Sequence, residues 1–368
     1  MEQLDINEIS KSKINNSAII LSDNKEHSAA EIDEALEIVN SWKTMHNYPL
    51  QVFKNRLKRV SEKIDKNALS AQRLKRISSI FKKLNRKYND NCPTMKLTQM
   101  QDIAGCRVVM SDIKQVRELY ETYYYNGDIK HKKVNVKDYI SSPKLDGYRS
   151  IHLVYRYSSD KGKKEYNGLL VEVQIRSKLQ HLWATAVETV DFFTRQAIKS
   201  NQGEENWKAF FKLVSSAFAR LENTPIISQT PQNEKELYLQ IKELEKKLQV
   251  KQKMKHWTES VKYFDNFKKK KNIQFYLLEL DTVLERLNIS AFTKREEKEA
   301  LLAYSSAEKK IYNRNEYDVV LVSADNMQDL KKAYPNYFLD TKEFLKHLEI
   351  ILNKYWSTSQ KDSMVELN

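Results

Sequence analysis

Glycine and proline are scarce, at 6 of each in 368 residues. That excludes collagen-like or linker-type sequence and disfavours an all-β sandwich, whose many tight turns draw on both. Two cysteines, Cys92 and Cys106, cannot build a disulfide framework, and no C-x-x-C metal pair occurs. No uncharged apolar run approaches the roughly 20 residues that cross a bilayer, so no membrane partner is expected. The first residues, MEQLDINEISKSKINNSA, carry acids early and no apolar run of the signal-peptide kind. A cytoplasmic location is the expectation.

What is present is charge and core material. Hydrophobic residues make up 40% of the chain and aromatics 10%, enough for packed interiors. At roughly 150 residues per domain, the length suggests two domains or one with an appendage. The formal charge is +14. An excess of that size suits a polyanionic partner such as nucleotides, nucleic acid or an acidic protein, and equally an inert basic surface.

Residues 1–24 show no pattern and read as a flexible arm. Ser28 to Glu31 has the spacing of a capping box, and Ile32, Leu36, Ile38, Val39 and Trp42 continue it as a helix. Further helices are expected over Pro49–Ile64 and about Ala68–Lys87. Strand patterns follow at Cys106–Met110, Val134–Ile140, Ser150–Tyr157 and Gly168–Arg176, the last two as an antiparallel hairpin. A helix is expected between the first two, over Asp112–Tyr125, and helix again over Leu179–Phe218. The fold class expected is α+β, a mixed β-sheet flanked by helices, ending near residue 223. The segment Thr224–Pro231 marks a boundary. A charged helical connector follows over 224–272, with Leu237, Ile241, Leu244 and Leu248 as its apolar stripe. Residues 273–368 read as a smaller α/β unit, with strands at Phe275–Leu280 and Tyr317–Val322 and helices at Thr293–Lys310 and Thr341–Tyr355.

Four segments carry chemistry. Arg73 to Lys87 holds seven Lys/Arg and no acid in fifteen residues. Arg73, Lys75 and Lys83 can converge on a triphosphate, with Ser79 as a further donor, or simply form a solvated face. Asp102 stands before an apolar strand, placed for a divalent cation or for capping a turn. The loop around Pro143 and Gly147 presents Lys144, Tyr148 and Arg149, as base stacking beside phosphates requires, or seats a core tyrosine. In the strand Val171–Arg176, Glu172, Gln174 and Arg176 share one face. A polar stripe there either lines a site, with Glu172 as metal ligand or general base, or marks a wet edge.

Taken together, these segments resemble the RelA/SpoT-type pyrophosphokinase domain. The runs R-x-K-x-x-x-S-I-x-x-K, D-I-A-G-x-R-V, D-Y-I-x-x-P-K-x-x-G-Y-R-S-x-H and V-E-V-Q-I-R-S stand in the family's order, between about Ser28 and Ala219. The resemblance implies a nucleotidyltransferase-like synthetase core over 25–223. It implies that Arg73 stacks on the adenine of ATP while Lys75, Ser79 and Lys83 bind its phosphates. Asp102 and Glu172 would hold Mg²⁺, with Gln174 supporting Glu172. Lys137, Lys144, Tyr148 and His152 would bind the acceptor. The implied reaction is attack of a ribose 3′-hydroxyl on the β-phosphate of ATP. Two departures stand out: Arg76 replaces the Ser-Pro common in small alarmone synthetases, and Asp146 replaces an uncharged residue.

The implied acceptor is either GDP/GTP or the 3′-CCA end of tRNA. Basic clusters at Lys54–Arg59, Lys130–Lys133, Lys161–Lys164, Lys251–Lys255 and Lys268–Lys271 favour tRNA. An inactive RNA- or protein-binding module is the remaining alternative. Near the end, Tyr334-Pro-Asn-Tyr337 resembles the Y-x-x-Y element of CapRel-type fused toxin–antitoxins. From spacing alone these are core tyrosines. The resemblance implies that Tyr334 and Tyr337 block the ATP site and that a phage capsid-type protein binding the tail relieves the block.

Overall fold

The structure, a computed structural model, describes residues 9–23, 25–85, 95–127, 129–197, 202–260, 262–265, 272–281, 284, 286–311, 317–324, 326–334, 338 and 341–365. The helices are α1 Lys11–Ile20, α2 Ala29–Met45, α3 Asn47–Ile64, α4 Ile77–Leu84, α5 Ile113–Tyr120, α6 Lys178–Ala197, α7 Gln202–Leu221, α8 Glu234–Leu248, α9 Val250–Ser260, α10 Glu297–Lys310, α11 Met327–Ala333 and α12 Lys342–Val365. The strands are β1 Leu69–Leu74, β2 Ala104–Met110, β3 Lys132–Asp138, β4 Ile151–Arg156, β5 Leu170–Ser177, β6 Lys262–Asp265, β7 Ile273–Asp281, β8 Arg286–Thr293 and β9 Tyr317–Ser323. They form one mixed sheet in the order β3-β4-β5-β2-β1-β9-β7-β8-β6. The β2–β5 and β6–β8 pairs are parallel and the others antiparallel. The α+β expectation, a mixed sheet flanked by helices, holds.

Two expectations need correction. The unpatterned arm contains a helix: Ser10 caps α1, and Ile14, Ala18 and Leu21 bury against α2. Of the five apolar residues from Ile14 to Leu21, four run together at 18–21, which shows no helical period. The helix expected over Ala68–Lys87 is instead β1 followed by α4. Residues Leu69–Leu74 have helix-compatible side chains. However, they lie between β2 and β9 and pair with both, so ladder hydrogen bonds override local propensity. Strands β6 and β8 and helix α11 were not anticipated; β6 lies within the segment 224–272 expected as a helical connector and pairs with β8. The capping box holds, with Ser28 Oγ accepting from Glu31 N and Glu31 accepting from Ser28 N at 2.9 Å.

One face of the sheet packs on α3, α5 and α10 through residues such as Phe53, Leu57, Val116, Val108, Val173 and Tyr304. The opposite face of β7–β9 packs on α11 through Leu330, Ala333 and Tyr334. Helices α6, α7, α8 and α12 bury a second interior around Trp183, Phe210, Tyr238 and Phe344. The strands after residue 272 extend the sheet that begins before residue 75, because β9 pairs with β1 through Gln72↔Ser323 and Arg73↔Val322.

Polar contacts fasten α10 to the first helices. Lys43 of α2 and Glu308 of α10 form an ion pair with side chains 1% and 4% exposed. Glu308 also accepts from Ile77 N at 2.9 Å, which places a carboxylate at the start of α4 where unpaired N–H groups favour it. Arg76 pairs with Asp318 of β9. Asn47 and Gln51 donate to Glu297.

Removing one member of a buried pair leaves the other charged and unsolvated. Lys43→Met is expected to lower stability in urea denaturation by about 3–5 kcal/mol. Adding Glu308→Gln to that variant is expected to restore part of the loss.

Candidate active site

Strand register assembles the site. Arg73, Gly105 and Glu172 pair in one row across β1, β2 and β5. Ala71, Arg107, Gln174, His152 and Lys137 pair in a neighbouring row that reaches β3. Side chains two residues apart along a strand share a face, so both rows open on the same side of the sheet. The opposite parity, Val171, Val173 and Ile175, is buried in the core. Apolar alternation in β5 therefore displays the polar stripe.

The resulting cleft is lined by Arg73, Lys75, Asp102, Arg107, Glu172 and Gln174 together with Tyr334. Asp102 precedes β2 and accepts from Lys75 Nζ at 2.9 Å and Lys83 Nζ at 2.8 Å. Burial alone would raise the Asp102 pKa, but the two lysines outweigh it and hold the carboxyl below the ordinary carboxylate value. Glu172 behaves alike. Burial acts to raise it and Asp102 adds to that, while His152 and Gln174 pull it below its ordinary value. Each acid feels the other across the same cleft, so two residues 70 positions apart meet.

A second chain of contacts runs from Glu172. Its Oε1 accepts from His152 Nδ1 at 2.9 Å, and Oε2 accepts from Gln174 Nε2 at 2.6 Å. A carboxylate only accepts, so Nδ1 carries the proton, and a neutral ring leaves Nε2 to accept from the Tyr148 hydroxyl at 2.7 Å. Arg176 donates to that hydroxyl at 2.6 Å and to Gln174 at 3.2 Å. Lys144 and Arg176 lie 4.9 Å and 5.1 Å from the Tyr148 ring centre.

The loop that presents Tyr148 requires glycine. Gly147 has φ +99°, and a Cβ there would stand 2.8 Å from Trp183 of α6 and 3.0 Å from Ser215 of α7. Ser215 Oγ donates to the Gly147 carbonyl at 2.6 Å. Asp146 accepts from Tyr148 N at 2.9 Å, so its carboxylate closes the turn that carries the aromatic ring.

Tyr334 is 2% exposed and enters from the far side of the chain. Its hydroxyl donates to the Gln72 carbonyl at 2.6 Å, and the Arg107 guanidinium lies 5.6 Å from its ring centre. Arg107 also donates to the Ala333 carbonyl. Burial and the neighbouring Arg176 push Arg107 down to about 10, leaving it charged at neutral pH. Burial pushes the Tyr334 hydroxyl up to about 12, so it remains a donor. About 60 Å³ of space remains in the cleft.

The structure thus brings together Arg73, Lys75, Lys83, Asp102, Glu172, Gln174, Tyr148 and His152, with Lys144 beside Tyr148 and Lys137 exposed across from His152. Ser79 sits half-buried on α4, outside the lining. Tyr337 lies outside the described residues, as do Lys268–Lys271. Lys54, expected in a basic surface cluster, is 6% exposed and faces inward. Arg107 and Arg176 were given no role from sequence, although Arg107 is the one charged residue of β2 and Arg176 continues the polar stripe of β5.

Residues 72–192 match the family model described as the region found in RelA / SpoT proteins. The chain is 33% identical over 120 residues to GTP pyrophosphokinase YjbM of Bacillus subtilis, covering 33% of this chain and 54% of that protein. It therefore spans about half the length of that relative. Over 168 residues it is 27% identical to GTP pyrophosphokinase YwaC of the same organism, covering 43% of this chain and 78% of YwaC. Among solved structures, the small alarmone synthetase 1 of Bacillus subtilis bound to its product pppGpp aligns at 24% identity. That alignment covers 50% of this chain and 91% of the other, with a TM-score of 0.42.

Both carboxylates are depressed in the folded chain, so they add stability above about pH 4, where their unfolded counterparts ionise. That contribution is lost as pH falls through the folded values. The urea midpoint is expected to drop below about pH 4, and Asp102→Asn is expected to make that drop shallower.

Proposed function

We propose that the chain is an ATP-dependent pyrophosphokinase acting on a ribose 3′-hydroxyl. The observation that carries this reading is the meeting of Asp102 and Glu172 in one cleft with Arg73, Lys75 and Lys83. Phosphoryl transfer asks for positioning and charge neutralisation more than for a covalent intermediate. The 3′-oxygen bonds to the β-phosphorus, the bond from that phosphorus to the α-phosphate oxygen breaks, and AMP leaves. Glu172 is the group to receive the hydroxyl proton. Arg73 stacks on the adenine, and Lys75 and Lys83, now on Asp102, serve the phosphates, with Ser79 as a further donor. Tyr148, held by Arg176 and His152, stacks on the acceptor base, with Lys137 and Lys144 beside it.

The donor set suits Mg²⁺. Once Lys75 and Lys83 turn to phosphates, two carboxylates in one cleft offer a cation site, and Mg²⁺ uses one or two carboxylates, completing its shell with phosphate oxygens and water. Among the described residues no cluster of three His, Cys, Asp or Glu occurs, which is the pattern a tighter metal cage would need. Asp102 and Glu172 would hold the ion, which when bound neutralises charge on the transferred group.

With Tyr334 seated, the remaining 60 Å³ falls far below the roughly 300–1,000 Å³ that ligand pockets of nucleotide size provide. We read this arrangement as the closed, inhibited form. A trigger must bind the open form better to release it. A phage capsid-type protein is the trigger we propose, on the likeness of the Tyr334 segment. For the acceptor we favour the 3′-CCA end of tRNA, since exposed Lys132, Lys133 and Lys137 on edge strand β3 extend positive charge beyond what a free nucleotide requires. GDP or GTP is the second reading, supported by the names of the curated relatives.

The test uses full-length protein, γ-labelled ATP, deacylated tRNA and guanosine nucleotides, with products separated by chromatography. Tyr334→Ala is expected to transfer label to tRNA without a trigger, while the parent chain transfers little. Label found only in guanosine nucleotides would establish the second reading. A folded Tyr334→Ala protein that labels neither acceptor would overturn the enzyme assignment. Adding Glu172→Gln is expected to cut transfer by about 10²–10⁴. Truncation at Thr224 is the poorer experiment, because it strips Leu237, Tyr238, Ile241 and Phe344 from the interior they share with Trp183 and Phe210.

A further inference from the structure

A second cleft lies elsewhere. A cleft of about 750 Å³ opens between the outer ends of β1 and β2 on one side and α11 and α12 on the other. Ser70 lines this cleft and the next residue, Ala71, lines the catalytic one, so the two clefts adjoin along β1. Leu69, Val109 and Leu182 give the second cleft an apolar side, within a lining that is otherwise mostly polar. Five lysines stand around it against three acids. Two of the acids are engaged by lysines of the same rim, Glu62 by Lys58 at 3.7 Å and Glu343 by Lys178 at 3.1 Å. The third, Asp329, accepts from Asn326 at 2.7 Å in the first turn of α11. Lys66 and Lys332 are exposed on opposite walls.

Two lining residues carry buried polar atoms with no partner. His181 is 5% exposed, and its Nε2 donates to the Lys332 carbonyl at 3.1 Å, while its Nδ1 bonds nothing. Ser70 Oγ is likewise buried and unpaired. A buried polar atom without a partner costs about 1–3 kcal/mol, so both are candidates for a ligand's hydrogen-bonding edge.

We propose that this cleft is a second ligand site that takes a nucleoside phosphate. The apolar side accepts a flat heterocycle, Ser70 and His181 meet its polar edge, and the lysine rim takes the phosphates. Nothing in this assignment depends on the catalytic reading. A consequence does rest on that reading: the ligand touches α11 at Lys331 and Lys332, and the next two residues are Ala333 and Tyr334. A ligand bridging α11 to β1, β2 and α6 binds the closed form best and so holds Tyr334 in the catalytic cleft.

The test is isothermal titration of full-length protein with GTP, with ATP and with inorganic tripolyphosphate. Lys66→Glu/Lys332→Glu changes only exposed side chains and is expected to weaken nucleotide binding about tenfold or more. Lys75→Ala, which the catalytic reading assigns to the phosphates of ATP, is expected to leave GTP binding at this second cleft unchanged. GTP binding lost in Lys75→Ala and kept in the double variant would overturn the proposal, and so would absence of nucleotide binding. Tripolyphosphate binding as tightly as the nucleotides would remove the role of the heterocycle and overturn the nucleoside part. Failure of catalysis with binding intact would leave this site standing and count against the catalytic reading alone.

Discussion

Two carboxylates on one face of a sheet repel each other, and desolvation makes the repulsion worse. Everything around Asp102 and Glu172 answers that constraint. Lys75, just after β1, and Lys83, in the last turn of α4, converge on Asp102, and His152 and Gln174 donate to Glu172. The compensation is strong enough to keep both acids ionised despite burial. A cleft built this way holds separated charges ready to be exchanged for a cation and a polyphosphate, with little reorganisation at the moment of reaction.

The second organising feature is strand β1. It carries Arg73 on its catalytic face, and its two edges belong to different parts of the chain. Its β2 edge ties it to the segment that matches the RelA / SpoT model, and its β9 edge ties it to the last hundred residues. The β9 junction spans two residue pairs, and side-chain contacts supply much of the remaining attachment. Lys43–Glu308, Arg76–Asp318 and the Tyr334 hydroxyl on Gln72 all cross it. The far part of the chain is thereby joined to the catalytic cleft both through the sheet and through the ring that fills that cleft.

Much of the site was legible before any coordinates. The alternation of Val171, Val173 and Ile175 with Glu172, Gln174 and Arg176 stated which side chains share a face, and the structure keeps that parity. The need for Gly147 could be suspected from a loop with few alternatives, but the reason, Trp183 and Ser215 pressing on its Cα, comes from helices distant in sequence. Arg107 was passed over because a single cation in an apolar strand has no partner in its own neighbourhood. Its partners are Ala333 and Tyr334. The helix expected over Ala68–Lys87 failed for a related reason, since pairing on both edges of β1 is a non-local event that local propensity cannot report.

Local patterning was enough for the element types of β2, β3, β4 and β5, the capping of α2, the polar stripe of β5 and the order of the four motifs. These follow from side-chain period and from spacings of a few residues, which the chain carries wherever it is placed. Only the tertiary structure decided that acids 70 residues apart share a cleft, that β9 continues the same sheet, and that Tyr334 rather than solvent fills the space beside Arg73. Those outcomes depend on strand order and register, which are selected by the burial of whole faces against one another.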